Sequence, residues 1–147
     1  MIRPILFLVA LVAVVALGAP PAAAQQGGYV VIVNESNSIL ALTTQELSKI
    51  FFKKAQRWPD GNDVVPVDLP EGAPVREAFS AAVHGKSVNA VRAYWQQQIF
   101  SGRAVPPTEK ASDEQVVAFV RTTPGAIGYV SGGATIPPGV RRLQVVR

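Results

Sequence analysis

The sequence has 147 residues, of which 14 are Lys or Arg, 10 are Asp or Glu and one is His, with no Cys. This length suggests one domain. The lack of cysteine excludes disulfides and thiolate metal sites, and a lone histidine leaves little for a His metal site or a Ser/His/Asp triad. The pI near 9.8 would suit a nucleic-acid partner, but the charges are interspersed, so we interpret them as a solvated surface and expect no nucleic acid.

The first 24 residues have the pattern of a secretory signal peptide. A basic start precedes the apolar run Ile5–Leu17, and small residues follow with an A-x-A site at Ala22 and Ala24. The run is shorter than the ~20 residues that span a bilayer. We expect cleavage before Gln25, which would leave a periplasmic or secreted chain with a single domain over residues 25–147. An uncleaved N-terminal anchor is the alternative.

The mature chain begins with a strand and a well-marked helix. The β-branched run Tyr29–Val33 predicts a buried strand. Thr43 and Glu46 have the spacing of a capping box, so a helix is predicted to begin there. Cations near its end suit the negative end of the helix dipole, and we expect the helix to end near Lys53 or Lys54.

A second strand and a second helix follow the turn WPDGND. Val64–Val67 predicts a strand in which Pro66 favours an irregular or edge position. The loop of DLPEGAPVREAF then leads into a helix predicted from Pro74 to about His84, with Gly85 directly after it. At that helix end His84 is interpreted as a favourable partner for the dipole.

Two more helices and two strands are predicted in the rest of the chain. Ser87 can cap a helix whose inward-facing stripe comprises Val88, Val91, Trp95 and Ile99. SDEQVVAFVR opens another helix at capping-box spacing. AIGYV predicts a strand in which Gly128 indicates a close approach of another group, and VRRLQVV predicts an edge strand. The alternation of strands with about four helices indicates the α/β class.

Three stretches in this order resemble periplasmic phosphate-binding proteins. LTTQELSKIFFKKAQRWPDG and PGAIGYV match two well-known stretches of that family, and VPVDLPEGAPVREAF lies where the family has its phosphate loop. The resemblance covers roughly Val30 to Val130. It implies a single type II periplasmic-binding-protein lobe, with a small mixed sheet flanked by about four helices. The other lobe of the full-length family lies outside this match.

The loop itself departs from the family pattern, which reads R-x-D-G-S-G-T before a helix. Aligning Gly72 with the first loop glycine leaves no hydroxyl or guanidinium at the other positions, which hold Leu69, Ala73, Pro74 and Val75. Each lost hydrogen bond to a charged group forfeits about 1.5–3 kcal/mol, so three could lower affinity by roughly a thousandfold. Glu71 would also repel an anion.

Arg76 is the one side chain of the loop and first helical turn that could still grip an oxyanion. A guanidinium can form two parallel bonds to an oxyanion, and Arg76 lies beside the N–H groups of Val75 and of its own backbone. The alternative is that Arg76 pairs with Glu71 or Asp68 at the surface.

The candidate ligand-binding residues come from three parts of the chain. Ser36, Asn37 and Ser38 follow the first strand at its carboxyl end, where α/β proteins tend to place ligands, although such residues are equally common in turns. By resemblance, Gly128 and Tyr129 line the same edge. The complete set is Ser36, Asn37, Ser38, Gly72, Ala73, Val75, Arg76, Gly128 and Tyr129.

Two functions stay open. The resemblance implies an exported solute-binding protein that delivers phosphate or a similar oxyanion to an ABC transporter. The alternative is an accessory or interaction module of the cell envelope that keeps the fold and has lost the ligand, because a lone lobe cannot close around a small ion. A transporter, a sensor or a second copy of the chain are the partners considered. No nucleophile elbow, metal-ligand cluster or cofactor fingerprint occurs, so neither catalysis nor a cofactor is expected.

Overall fold

A five-stranded mixed sheet forms the centre of the computed structural model, which describes residues Gly28–Arg147. Its strand order is β4-β3-β5-β1-β6; β3 runs parallel to β4 and β5, and β1 runs antiparallel to β5 and β6. Two further strands, β2 and β7, form a separate parallel pair. The strands are β1 Tyr29–Asn34, β2 Ala41–Thr43, β3 Val65–Asp68, β4 Thr108–Glu109, β5 Ala126–Ser131, β6 Val140–Arg142 and β7 Gln144–Val146. The predicted signal peptide lies outside the described residues.

Helices connect these strands and give the α/β architecture that the sequence predicted. They are α1 Thr44–Phe51, α2 Pro74–Phe79, a π-helical turn Ser80–His84 that continues α2, α3 Val88–Phe100 and α4 Asp113–Thr122. None of the helices in this described part combines the length and the apolar character that a bilayer crossing requires.

The start of α1 is confirmed and its predicted end is wrong. The Glu46 N–H donates to Thr43 Oγ1 at 3.1 Å, and the Thr43 N–H donates to Glu46 Oε2 at 2.8 Å, which is the predicted capping box. The helix stops at Phe51, before the predicted end at Lys53 or Lys54. Lys53 adopts a left-handed φ of 54°, which turns the chain away from the helix axis.

The pairing of the strands explains where Pro66 lies in β3 and why the C-terminal stretch is divided. Pro66 lies in β3 opposite Ile127 of β5, and β4 pairs only with Val67 and Asp68, so Pro66 has a strand neighbour on one side alone. The terminal stretch was predicted as one edge strand and is two strands. Leu143 turns into the core between them and donates its N–H to Val31 O at 2.9 Å.

The predicted inward stripe of α3 is only partly correct. Val91 and Trp95 are buried, whereas Ile99 is 52% exposed. α3 packs mainly against the π-helical turn, and its two buried residues lie outside the main core cluster. The last turn of the helix therefore extends beyond the surface that the rest of α3 covers.

His84, the last residue of the π-helical turn, is held in an aromatic environment. Its Nδ1 lies 2.8 Å from Ser48 Oγ of α1, and its ring is 4.5 Å from the Phe52 ring and 5.5 Å from the Phe79 ring, centroid to centroid. Burial lowers the pKa of His84 to about 4, and the positive charges of Arg76 and Lys86 act in the same direction. His84 is therefore neutral at pH 7, and its interpretation as a cationic dipole partner is wrong.

Gly128 confirms the close approach that its position inside a strand indicated. A Cβ added there would lie 2.7 Å from Val116 Cγ1 of α4 and 2.7 Å from Val67 Cγ1 of β3. We expect Gly128→Ala to lower the free energy of unfolding by about 1–3 kcal/mol, because three packed elements would have to separate. Gly133→Ala, where a Cβ would meet nothing within 4 Å, is the matched control. Urea unfolding of both variants checks this; equal stabilities would contradict it.

We expect acid to destabilise the protein through His84. Between its ordinary value of 6.5 and the folded value of about 4, the unfolded chain binds a proton that the folded protein does not. This contribution to stability is complete above pH 6.5 and should fall by about 2 kcal/mol by pH 4.5. His84→Asn, which keeps a polar group for Ser48, should lack this component. Unfolding midpoints of both proteins from pH 7.5 to 4.5 test the prediction, and parallel profiles would refute it.

Candidate functional site

The candidate site lies where β3 ends and α2 begins. Pro74 is the first residue of α2, where its missing N–H is not needed, and Ala73 precedes it without a side-chain cap. The Arg76 N–H donates to Ala73 O at 2.9 Å, and the Ala73 N–H donates to Pro70 O at 2.9 Å. Of the two amides considered for an anion, those of Val75 and Arg76, the Arg76 amide is thus already used by the loop itself.

The Arg76 side chain is buried and contacts three partners inside the protein. Its Nη2 lies 3.3 Å from Asp68 Oδ2, and its Nη1 lies 3.0 Å from Glu109 Oε2 and also donates to Leu69 O. Only 9% of the side chain is exposed. The guanidinium therefore joins the end of β3, the start of α2 and the edge strand β4.

Asp68 is the central acceptor of this network. Tyr129 Oη and the Leu69 N–H both donate to Asp68 Oδ1, and Arg76 approaches the other carboxylate oxygen. Burial raises the pKa of Asp68, and these three donors oppose the rise because they stabilise the ionised form. Burial and the Asp68 charge together raise the pKa of Tyr129, so its hydroxyl keeps the proton that it donates.

Arg76 forms one of the two ion pairs that the alternative interpretation named. The pairing with Asp68 is present, but it is buried instead of lying at the surface, and Glu71 is not part of it. Glu71 Oε2 pairs with Arg92 Nη1 of α3 at 3.2 Å. Glu109 was missed by the sequence analysis, because a strand of two residues gives no pattern from which its position could be read.

The other residues of the loop are close to this network. Gly72 is exposed, and a Cβ there would meet nothing within 4 Å, so no close approach requires glycine. Ala73 is half-buried and Val75 is buried in the core cluster. The loop therefore presents mostly backbone and apolar surface around a guanidinium that is already occupied.

The three serine and asparagine candidates lie at the opposite end of the sheet. Because β1 runs antiparallel to β5, its carboxyl end lies beside the start of β5, where Val33 pairs with Ile127. The Ser36 N–H and Oγ both donate to Asn34 Oδ1, and the Ile39 N–H donates to Asn37 Oδ1. These are the turn-forming bonds of the alternative interpretation. We predicted that they lie at the same edge as the β5 residues, because the sequence does not reveal the relative direction of two strands.

Gly128 and Tyr129 lie within β5 opposite Ile32 and Val31, between the two ends of the sheet. Tyr129 contacts the network through Asp68, whereas the space beside Gly128 is filled by Val67 and Val116. The structure thus brings Tyr129, Arg76 and the loop together and leaves Ser36, Asn37 and Ser38 apart from them.

A polar cleft of about 310 Å³ occupies that other end of the sheet. Trp58 lies in its wall and donates its Nε1–H to Gly125 O at 3.0 Å, which fixes the indole in the core. The lining residues are Ser36, Asn37, Trp58, Asp60, Asn62, Asp63, Val65, Pro124 and Gly125. Two carboxylates and no cation line this cleft, so it does not suit an anion.

Comparison with known proteins identifies the family. Residues 23–139 match the model of the PBP superfamily domain, and the chain therefore belongs to this superfamily. A search of curated proteins found no match.

Solved structures share the fold at low sequence identity. A protein from Clostridium perfringens, assigned as a phosphate ABC transporter substrate-binding protein and solved with bound phosphate, is 23% identical with a TM-score of 0.63, over 80% of this chain and 44% of that one. An ABC-type phosphate transport receptor from Vibrio cholerae is 20% identical with a TM-score of 0.62, over 80% and 46%. The chain thus spans less than half the length of these proteins.

We expect Arg76→Met to lower the free energy of unfolding by about 3 kcal/mol at pH 7, because it leaves the buried Asp68 carboxylate without its cation. The loss should shrink as the pH falls, since Asp68 without Arg76 takes up a proton more readily. Arg92→Met is the control, because its pair with Glu71 is exposed and should be worth less than about 1 kcal/mol. Chemical unfolding at pH 7 and pH 5 measures both; similar losses in the two variants would contradict the prediction.

Proposed function

We propose that this member of the PBP superfamily is an exported single lobe that serves as an interaction module of the cell envelope and does not capture free phosphate at the start of α2. The observation that supports this most directly is the state of Arg76. Asp68 and Glu109 already occupy its guanidinium from within the protein.

Electrostatics argues against an anion entering this site. With all groups ionised, Arg76, Asp68 and Glu109 together carry one negative charge, and an incoming phosphate would add more. Displacing the Asp68 carboxylate would leave it buried without a cation, which costs several kcal/mol. The loop offers no hydroxyl that could compensate for this cost. We therefore expect Arg76 to keep its bond to Asp68 when phosphate is present.

The presence of one lobe also favours an interaction module over the capture of free phosphate. A solute-binding protein with two lobes closes around its ligand and excludes water, which strengthens each contact. This chain covers 44% of the phosphate-bound relative, so such closure would require a second lobe beyond the one described here. A lobe without closure is better suited to bind a surface than a small ion, and we propose that its partner is an envelope component such as a transporter, a sensor or the membrane itself.

A second candidate is solute binding, with phosphate or a similar oxyanion as the ligand for an ABC transporter. The phosphate in the Clostridium perfringens relative favours it. In this chain the ligand would contact Arg76 and the loop of Gly72, Ala73 and Val75, after Glu109 had moved away. The Glu109 side chain is 51% exposed, so it is free to do so. Tyr129 would then act through Asp68, and Ser36, Asn37, Ser38 and Gly128 would lie outside the contact.

Calorimetric titration of the processed, exported protein with inorganic phosphate separates the two proposals. We expect no binding to the wild type at millimolar phosphate. Glu109→Gln should still fold, because this side chain is half-exposed, and it should bind phosphate more tightly than the wild type since one competing carboxylate is gone.

The opposite result would support the solute-binding candidate. Micromolar phosphate binding by the wild type, lost in Arg76→Gln and kept in Arg92→Gln, would overturn the proposal that the site is closed. Circular dichroism of each variant ensures that a lost signal reflects the site and not the fold.

A further inference from the structure

The end of α3 and the loop after it carry three of the five large apolar residues that are exposed in the described part of the chain. Phe100 is 96% exposed, Ile99 is 52% exposed and Val105 is 62% exposed. We call the segment Ile99–Val105 the α3 tip. Exposed apolar side chains of this size within seven residues of sequence indicate a surface that is covered in use.

The α3 tip is an ordered structure and not a loose loop. Gly102 adopts a left-handed φ of 67° and its N–H donates to Ile99 O, while the Arg103 N–H donates to Gln98 O at 3.0 Å. These bonds close the end of the helix in the manner of a Schellman cap. Downstream, the buried Pro107 and the pairing of β4 with β3 hold the other end of the segment. Phe100 is thus held in place with its ring in solvent.

The charged residues on α3 and in the segments that directly flank it in sequence are all cations. From residue 78 to residue 108 the sequence contains Lys86, Arg92 and Arg103 and no carboxylate. Lys54 adds a further cation, with its Nζ 5.9 Å from the Tyr94 ring in the middle of the helix. On either side of this stretch the nearest acids are Glu77, which is exposed and takes part in no ion pair of the described residues, and Glu109, which pairs with Arg76. Arg103, Lys54 and Lys86 make no ion pair among the described residues.

The size of the α3 tip distinguishes between kinds of partner. The three exposed side chains offer roughly 350 Å² of apolar surface, which is less than half of the ~800 Å² that each side of a stable protein interface buries. A bilayer surface sets no such minimum, because a few inserted apolar groups act together with cations that attract anionic headgroups. An exposed aromatic ring three residues before Arg103, in a stretch of sequence without carboxylates from residue 78 to residue 108, fits that chemistry.

We infer that the α3 tip docks the protein on an anionic membrane surface. Phe100 and Ile99 insert into the headgroup boundary, and Arg103 and Lys54 contact lipid phosphates. The inference rests on the proposed function, in that it names the envelope component that the module binds.

Vesicle flotation of the processed, exported protein tests it, with vesicles of equal parts phosphatidylglycerol and phosphatidylcholine and with vesicles of phosphatidylcholine alone. We expect binding to the anionic vesicles, weaker binding to the neutral ones, and a loss of about tenfold in Phe100→Ser. Arg103→Ser should weaken binding to the anionic vesicles only. Leu40→Ser is the matched control: Leu40 is also 80% exposed but precedes β2, away from α3, so this variant should bind like the wild type.

Three results would overturn the inference: no flotation of the wild type with anionic vesicles, equal flotation of Phe100→Ser and wild type, or equal losses in Phe100→Ser and Leu40→Ser. A dimer in light scattering that Phe100→Ser dissolves would show that a second copy covers the α3 tip instead. The phosphate titration is independent of this outcome. Failed flotation with no phosphate binding leaves the interaction module in place with another partner, and micromolar phosphate binding removes that proposal whatever the vesicles show.

Discussion

The buried ion pair between Arg76 and Asp68 is the interaction on which the candidate site depends. It joins the end of β3 to the first turn of α2, and it extends through Glu109 to β4 and through Tyr129 to β5. Ionised groups are costly to bury unless their hydrogen bonds are satisfied. Here each oxygen of Asp68 meets a donor, and at least one Arg76 nitrogen meets each of its three acceptors. The end of the sheet that could receive an anion is therefore held together by the same groups that such a ligand would need.

This arrangement separates the fold of the superfamily from the chemistry of an open anion site. The fold needs the strand β3, the turn and the short helix α2, and it keeps all three. An open anion site would also need unpaired donors at the start of α2, and the protein supplies its own carboxylates to the strongest of them. Since α2 begins with proline, its first turn also has one backbone N–H fewer to offer to a ligand. The protein thus keeps the fold of the superfamily, while its strongest donor at the start of α2, Arg76, is paired with its own carboxylates.

The sequence predicted best those features that depend on local chemistry. Thr43 and Glu46 fix the start of α1 through neighbouring atoms, and Gly128 indicated a close contact because a side chain would not fit. Features that depend on strand direction, or on partners far away in the sequence, could not be predicted from the sequence. Ser36 to Ser38 were grouped with β5 residues because the antiparallel course of β1 is not written in its composition, and Glu109 belongs to a strand too short to give a pattern. Ile99 fits a helical stripe, but the surface that would cover it ends before the helix does.

The distribution of paired and unpaired charges connects the ion pairs of Arg76 to the α3 tip. Glu71 and Glu109 each pair with an arginine, Arg92 and Arg76, so neither leaves an unpaired negative charge beside α3. Arg103, Lys54 and Lys86 are cations outside these ion pairs, and Phe100 lies in water at the end of the helix. An anion site at α2 would require Glu109 to leave Arg76, which would return a free carboxylate next to the loop that carries Val105. The pairing of Arg76 with its own carboxylates and the proposed role of the cationic, apolar α3 tip are therefore consistent with one another. Releasing Glu109 from Arg76 would weaken the electrostatic part of the proposed membrane docking.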